Sequence, residues 1–394
     1  MRLPKLCFSS PWREGIANLK NLKKRSKRYP AIFVEHCAHA SELTGYAEQF
    51  ATYSKLVLLG SGGSNTSFRA FCGALPEYVT KDVLLLNTQQ PRPLYTVKSY
   101  CSKHDTVVFA VSKSGANLEV LEPLMSFVDY RGVVITMPES PLWKLAAHIN
   151  FMRIAHPDVS GRFSAATVAH MVPAAVVGLP VKGLLKGIRR GYKEFARIGK
   201  HNPAIRLAYW LWRAECKDKH DVGAAFYSHE LYAFMPLLRQ LVHESYGKHC
   251  KGQTLFGDIA PEIHHHTLQR VLDGRRNLCM LVFSLTRHSH DVAIRVPKSL
   301  QAIRVKDISI TKLNGRRHSE ALKLNMLAML DALEKRNVPY AHIEIQSLNA
   351  TNTGIFVAFL QFFAYYSALL RNMNPFDQPA VEMIKRKEFM FRSQ

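Results

Sequence analysis

From Lys55 onward, short runs of Val, Leu and Ile alternate with longer stretches whose apolar residues recur at helical spacing. "KLVLLG", "DVLLLN", "DTVVFAVS" and "RGVVITMP" follow one another at intervals of about 25 residues, the rhythm of strand–helix–strand units in a parallel sheet. Such continuous aliphatic strands are buried on both faces. "ATVAHMVPAAVVGLPVKGLLKGI" then reads as helix with a proline kink or break, and residues 185–220 as an amphipathic, basic helical connection. A second alternation begins at "VGAAFYS" and passes through helical "ELYAFMPLLRQLVHES" to the strands "NLCMLVFS" and "PYAHIEIQ". Between those two strands, "HSEALKLNMLAMLDALEKRN" has helical spacing. The expected fold is α/β, with two tandem doubly wound parallel-sheet domains and helical extensions at both ends. The expected units are a basic helical 1–50, a first α/β domain over 51–185 and a helical connection over 186–220. A second α/β domain over 221–350 and a helical segment over 351–394 complete the chain.

One apolar run stands apart. "GIFVAFLQFFAYYSALL", Gly354 to Leu370, is about as long as the shortest membrane spans. A helix buried on all sides in a large α/β protein reads the same way. Gln361 interrupts the run and it is the only strong candidate, so a core helix is expected and no membrane partner.

Composition narrows the picture further. A chain of 394 residues that is 47% hydrophobic can bury a large core. Seven cysteines, an odd number without a C-x-x-C pair, argue against a disulfide framework or a zinc knuckle and for a reducing cytoplasm. "MRLPKLCFSSPWREG" is broken by prolines and charges and does not read as a secretory signal. The net charge of +23 suggests an anionic partner. The sharpest run, Lys20 to Arg28, has six basic residues and no acid. It lacks the interleaved aromatics of a nucleic-acid module, so a solvated basic face is expected and nucleic acid is not.

Candidate chemistry begins where the first strand ends. "GSGGSNTS", from Gly60, is neither a dinucleotide fingerprint, because Asn65 stands at the third glycine position, nor a P-loop, because it has no lysine. What remains is a nest of backbone N–H groups and hydroxyls at a helix start, which suits a phosphate. A second loop, Ser112-Lys113-Ser114-Gly115, follows another strand of the same sheet and offers a second side to the same ligand. "HESYGKHCKG" reads as the end of a helix and places Glu244 as a general base or a surface acid; it lacks the zincin spacing. His264, His265 and His266 are consecutive, so they cannot all face one metal from a helix, but one could shuttle a proton. In "SGRFSAAT", Arg162 precedes an apolar helix; buried there, it would need an anion.

Six boxes in one order give these segments a common meaning. "GSGGS", "SKSG", "SGRFS", "ESYGK", "HHTLQ" and "NPFDQPAVEMIK" resemble the successive signatures of the glucose-6-phosphate isomerase family, over roughly residues 55–387. The resemblance implies two sugar-isomerase (SIS-type) domains and interconversion of glucose 6-phosphate and fructose 6-phosphate through a cis-enediol(ate), in glycolysis and gluconeogenesis. It implies no metal and no cofactor. Glu244 matches the base that moves a proton between C1 and C2. Lys385 and His265 match the residues that open the ring, with His264 or His266 the alternatives if the box slips by one. Arg162 matches the arginine that stabilises the enediolate. Gly63, Ser64, Ser112, Lys113, Ser114 and Asn117 match the phosphate loops, and Gln240 and Gln378 match substrate-contacting positions. The family acts as a homodimer in which the neighbouring subunit supplies the His265 equivalent.

The chain departs from the family at several points. Ala116, Asn117 and Val120 stand where threonines are usual, Ala380 and Ile384 where glycines are preferred, and Ser160 in place of a glycine. The threonine-poor loop motivates an alternative, an isomerase of altered specificity acting for example on mannose 6-phosphate. A non-catalytic sugar-phosphate-binding module is a further alternative; the joint presence of Glu244, Arg162 and Lys385 argues against it.

Overall fold

The computed structural model describes residues 3–9 and 18–392. Its first sheet contains β2 (Lys55–Leu59), β3 (Asp82–Leu86), β4 (Thr106–Val111), β5 (Arg131–Thr136) and β6 (Met152–Ala155). They are parallel and ordered β3-β2-β4-β5-β6. The second sheet contains β7 (Asp221–Tyr227), β8 (Thr254–Ile259), β9 (Leu278–Leu285) and β12 (Tyr340–Ile345), ordered β12-β9-β7-β8 and parallel. β1 (Lys5–Phe8) adds an antiparallel edge on β12. A two-stranded hairpin, β10 (Arg304–Val305) and β11 (Ile308–Ser309), lies in the excursion between β9 and β12.

Both parallel sheets therefore follow the same winding. The first strand lies beside the third, and the second pairs on its far side. In such sheets the loops leaving the first and third strands diverge and open a crevice at the carboxyl ends. In the first sheet that crevice lies between β2 and β4, where the two glycine- and serine-containing loops begin.

Successive strand residues face opposite sides, and the core divides accordingly. Val57, Leu59, Val108, Ala110 and Val134 pack under the outer helices of the first sheet. Leu56, Leu58, Val107 and Phe109 join one continuous core with Phe226, Leu281, Phe283 and Ile343 of the second sheet. Through this shared core runs the helix Ala350–Leu370, with 94% of its most apolar stretch buried. Among the described residues it is the one helix long and apolar enough to cross a membrane, and here it is the centre of a protein core.

A glycine stripe on the helix Val181–Phe195 makes that burial possible. A Cβ on Gly187 would lie 2.0 Å from the Thr351 carbonyl oxygen, and one on Gly354 would lie 2.2 Å from that of Leu184. The two backbones thus touch, with Gly183 and Gly191 against Ala350 and Ala358 on either side. The basic helix Leu19–Arg28 packs against the far end of the core helix. Its Arg25 donates to the carbonyls of Leu369 and Leu370 at 2.7 and 3.0 Å, satisfying helix-terminal acceptors. β1, β6 and β8 were not visible in the apolar pattern: "KLCF" and "MRIA" are short and carry a charge, and "TLFGDI" contains glycine and aspartate.

Candidate active site

A cavity of about 620 Å³ opens at the carboxyl end of the first sheet. One wall is the loop after β2, with Gly62 at φ 53°, leading into the helix Thr66–Ala74. Gly63 meets Gly161 backbone to backbone; a Cβ on Gly63 would lie 2.5 Å from the Gly161 carbonyl carbon. This contact ties the first loop to the turn Gly161–Phe163 that carries Arg162. Ser164 holds the turn from behind, donating to the Gly161 carbonyl at 2.6 Å. Its hydroxyl oxygen then accepts from Nε2 of fully buried His170 at 3.1 Å.

Arg162 is 1% exposed. Its Nη1 donates to Glu244 Oε2 at 3.0 Å and to Gln378 Oε1 at 2.8 Å. Nε donates to Ser245 Oγ at 2.9 Å. Nη2 donates to the carbonyls of Pro375 and Asp377 at 2.7 and 3.1 Å. The anion that a buried arginine demanded is therefore Glu244, and the remaining N–H groups stitch the "NPFDQP" segment to the site. Burial pushes the guanidinium down from its ordinary range, and the Glu244 carboxylate pulls it back up. Lys248 reinforces the same segment, donating to the carbonyls of Asn374 and Asp377, both at 2.7 Å, and pairing with the Asp377 carboxylate.

Glu244 lies on the helix Met235–Tyr246, whose opposite face buries Leu237, Leu238 and Leu241. Gln240 lies one turn earlier on the same face and donates to Glu244 Oε1 at 3.1 Å; its own Oε1 accepts from Thr66 at 3.1 Å. Both carboxylate oxygens are thus held, yet the side chain remains 28% exposed toward the cavity. An anchored carboxylate facing a cavity can take a proton from a ligand there.

The loop after β4 forms the opposite wall. Lys113, Ser114, Ala116 and Asn117 line the cavity. Ser112 does not: it is buried, and its Oγ accepts from the Gly115 N–H at 3.2 Å, holding the turn. Ser114 donates to Asn117 Oδ1 at 3.2 Å, which leaves the Asn117 amide N–H groups uncommitted among the described residues. Val120 points into the core beside Val57, so its missing hydroxyl is no loss to the cavity. Lys113 pairs with Asp158 at 2.6 Å.

The outer wall is the exposed helix Pro379–Arg392, which contributes Lys385, paired with Glu382 at 2.9 Å. Ile384 is exposed and does not line the cavity. The structure thus brings Gly63, Ser64, Lys113, Ser114, Asn117, Arg162, Gln240, Glu244, Gln378 and Lys385 around one space. It does not bring His265 there. That residue sits on the exposed turn Glu262–His265 and makes no hydrogen bond or ion pair among the described residues. The flanking histidines are engaged: His264 Nε2 meets the Tyr227 hydroxyl at 2.7 Å, and His266 Nδ1 meets Thr267 Oγ1 at 2.6 Å. No group of three or more His, Cys, Asp or Glu side chains converges as a metal site would among the described residues.

Sequence reasoning counted Thr66 among the hydroxyls of the first loop, whereas it donates to Gln240, and it gave Ser245 and Gln361 no role in the site. Gln361, seen only as a break in an apolar run, accepts from the Tyr192 hydroxyl at 2.7 Å and donates to the Arg162 carbonyl at 3.4 Å. A lone amide in a run this apolar is itself a signal that a buried polar group needs a partner.

No protein-family model matches the chain. A glucose-6-phosphate isomerase of Rubrobacter xylanophilus is 28% identical over 331 residues, covering 80% of this chain and 75% of that protein. Among solved structures, a hypothetical protein of Thermus thermophilus superposes with a TM-score of 0.88 at 23% identity, over 99% of this chain and 100% of its own. A glucose-6-phosphate isomerase of Chlamydia trachomatis shares the fold, with a TM-score of 0.76 at 20% identity over 90% of this chain and 73% of its own. With the boxes in order and their side chains gathered around one cavity, the chain is similar over most of its length to curated glucose-6-phosphate isomerases at 24–28% identity.

Proposed function

We propose that this protein interconverts D-glucose 6-phosphate and D-fructose 6-phosphate, a step of glycolysis in one direction and of gluconeogenesis in the other. The observation that carries the reading is the anchored Glu244 carboxylate, open to a cavity whose far wall suits a phosphate. The phosphate is held by the backbone at Gly63, by Ser64, Ser114 and Asn117, and by the charge of Lys113. Lys385 and a histidine open the sugar ring. The Glu244 carboxylate then removes the proton from C2 of the open aldose. The released electron pair forms the C1–C2 double bond, and O1 takes the negative charge of the enediolate. Returning the proton to C1 while the O2 proton passes to O1, so that C2 becomes the carbonyl and O1 the hydroxyl, completes the ketose. Arg162 lies behind Glu244, where its fixed charge favours the enediolate without reorganisation.

The histidine is His265 of a second copy, in a homodimer with shared sites. Its exposure away from its own cavity, with both neighbouring histidines engaged, supports this. The seven cysteines are unpaired, which supports a reducing, cytoplasmic setting.

Activity with purified protein, fructose 6-phosphate and a dehydrogenase that reports glucose 6-phosphate tests both points. Wild type turns over. Glu244→Gln and His265→Ala are each impaired, the former by about 10²–10⁴-fold. After dissociation and reassociation together, the two variants recover about a quarter of wild-type turnover, because half the dimers are hybrids with one intact site. No turnover by a folded wild-type dimer refutes the isomerase; no recovery on mixing refutes the shared site.

A further inference from the structure

Lys113 is the one lysine in the loops facing the expected phosphate, and it is already occupied. Its ammonium lies 2.6 Å from Asp158 Oδ1. The two partners differ in freedom. Asp158 sits on a short turn pinned on both sides: His156 and Val159 are buried, at 4% and 2% exposed. The His156 N–H bonds to the Thr136 carbonyl at 2.8 Å and the Val159 N–H to that of Pro157 at 2.7 Å. Lys113 ends in a four-carbon stem that can swing. The contact draws the Asp158 carboxyl below its ordinary range, chiefly through the hydrogen bond from Lys113. Asp158 itself does not line the cavity, whereas Lys113 does.

We infer that Asp158 is a resident counter-ion that competes with the substrate's phosphate for Lys113, and so sets the affinity of the site. This rests on the isomerase reading above. A phosphate dianion offers more charge and three acceptor oxygens against one carboxylate, so the ligand wins the exchange but binds more weakly than it would to an unpaired lysine. The trade matters more in this chain than in one with a full set of threonines. Ala116 presents no hydroxyl to the cavity, so the lysine carries a larger share of phosphate recognition. Asp158 acts through Lys113 and is a positioning residue, not one that touches the reacting atoms.

The test uses full-length protein with two unreactive probes, inorganic phosphate and glucitol 6-phosphate, measured by calorimetry. Asp158→Asn keeps the shape and removes the charge. The expected result is about two- to fivefold tighter binding of both probes, the range for a solvent-exposed ion pair such as this one, whose Asp158 side chain is 81% exposed. The gain shrinks as salt rises, and Asp158→Glu restores wild-type affinity. In turnover the change appears in KM and not in kcat. Unchanged or weaker binding by Asp158→Asn overturns the inference, weaker binding meaning that Asp158 instead orients Lys113 for the ligand. Failure of wild type itself to bind glucitol 6-phosphate overturns the isomerase reading and this inference with it, and is told apart from failure of the inference alone because it needs no variant.

Discussion

Arg162 shows how much a single side chain organises. It joins the helix bearing Glu244, the turn after β6 and the segment before the last helix through hydrogen bonds that no other residue type could make from one plane. Buried histidine gives the residue scale its sharpest solution behaviour. His170, behind the Arg162 turn, is depressed by burial to about 3. Burial also lowers His156, His243, His264 and His342. For each, the folded state refuses a proton that the unfolded chain accepts below about pH 6.5. Stability is therefore complete above that pH and lost progressively as pH falls toward the folded values. The urea midpoint is expected to drop between pH 7 and pH 5, and to drop less in His170→Phe. A midpoint independent of pH over that range contradicts the reading of these buried or half-buried histidines as neutral in the folded state.

At the scale of elements, the decisive contact is between the helices Val181–Phe195 and Ala350–Leu370. Helix propensity alone says that glycine to alanine stabilises a helix by about 1 kcal/mol. At Gly45, in the helix Ala40–Gln49, nothing lies within 4 Å of the added Cβ, so Gly45→Ala should follow that rule. At Gly187 the same methyl meets the Thr351 carbonyl oxygen at 2.0 Å, and overpacking of this kind costs about 1–3 kcal/mol. Denaturant melts of the two variants should therefore move in opposite directions; matching shifts would show that the helices do not touch there. The stripe was present in the sequence as Gly183, Gly187 and Gly191. Spacing alone cannot say which helix faces it, and the segment reads equally as a basic amphipathic connection. The strands behave likewise. The long aliphatic runs were legible because burial on both faces leaves a continuous signature. β6 and β8 were not, because edge strands expose one side and admit Arg153, Gly257 and Asp258.

At the scale of the molecule, one winding used twice places the cavity at the crevice of the first sheet, while the second sheet sends in the helix that bears Glu244. The site was legible as chemistry because its boxes are contiguous in sequence. Its assembly was not, because the partners of Arg162 lie 82 to 216 residues away. The resemblance marked Ser112 as a phosphate contact, whereas its hydroxyl accepts from the Gly115 N–H within its own turn. Which of three adjacent histidines is free depended on Tyr227 and Thr267, which occupy the other two. The high positive charge finds a structural use at Arg25, the helix cap, and a proposed functional one at Lys113. The central claim is that Glu244 moves a proton between C1 and C2. The most direct measurement is isomerisation of fructose 6-phosphate in deuterium oxide, followed by magnetic resonance of the glucose 6-phosphate formed. A carboxylate that exchanges its proton with solvent predicts deuterium at C2, at a rate that falls with turnover in Glu244→Gln. Glucose 6-phosphate formed at the wild-type rate with no deuterium at C2, even at equilibrium, would mean a direct hydride shift and would contradict the account.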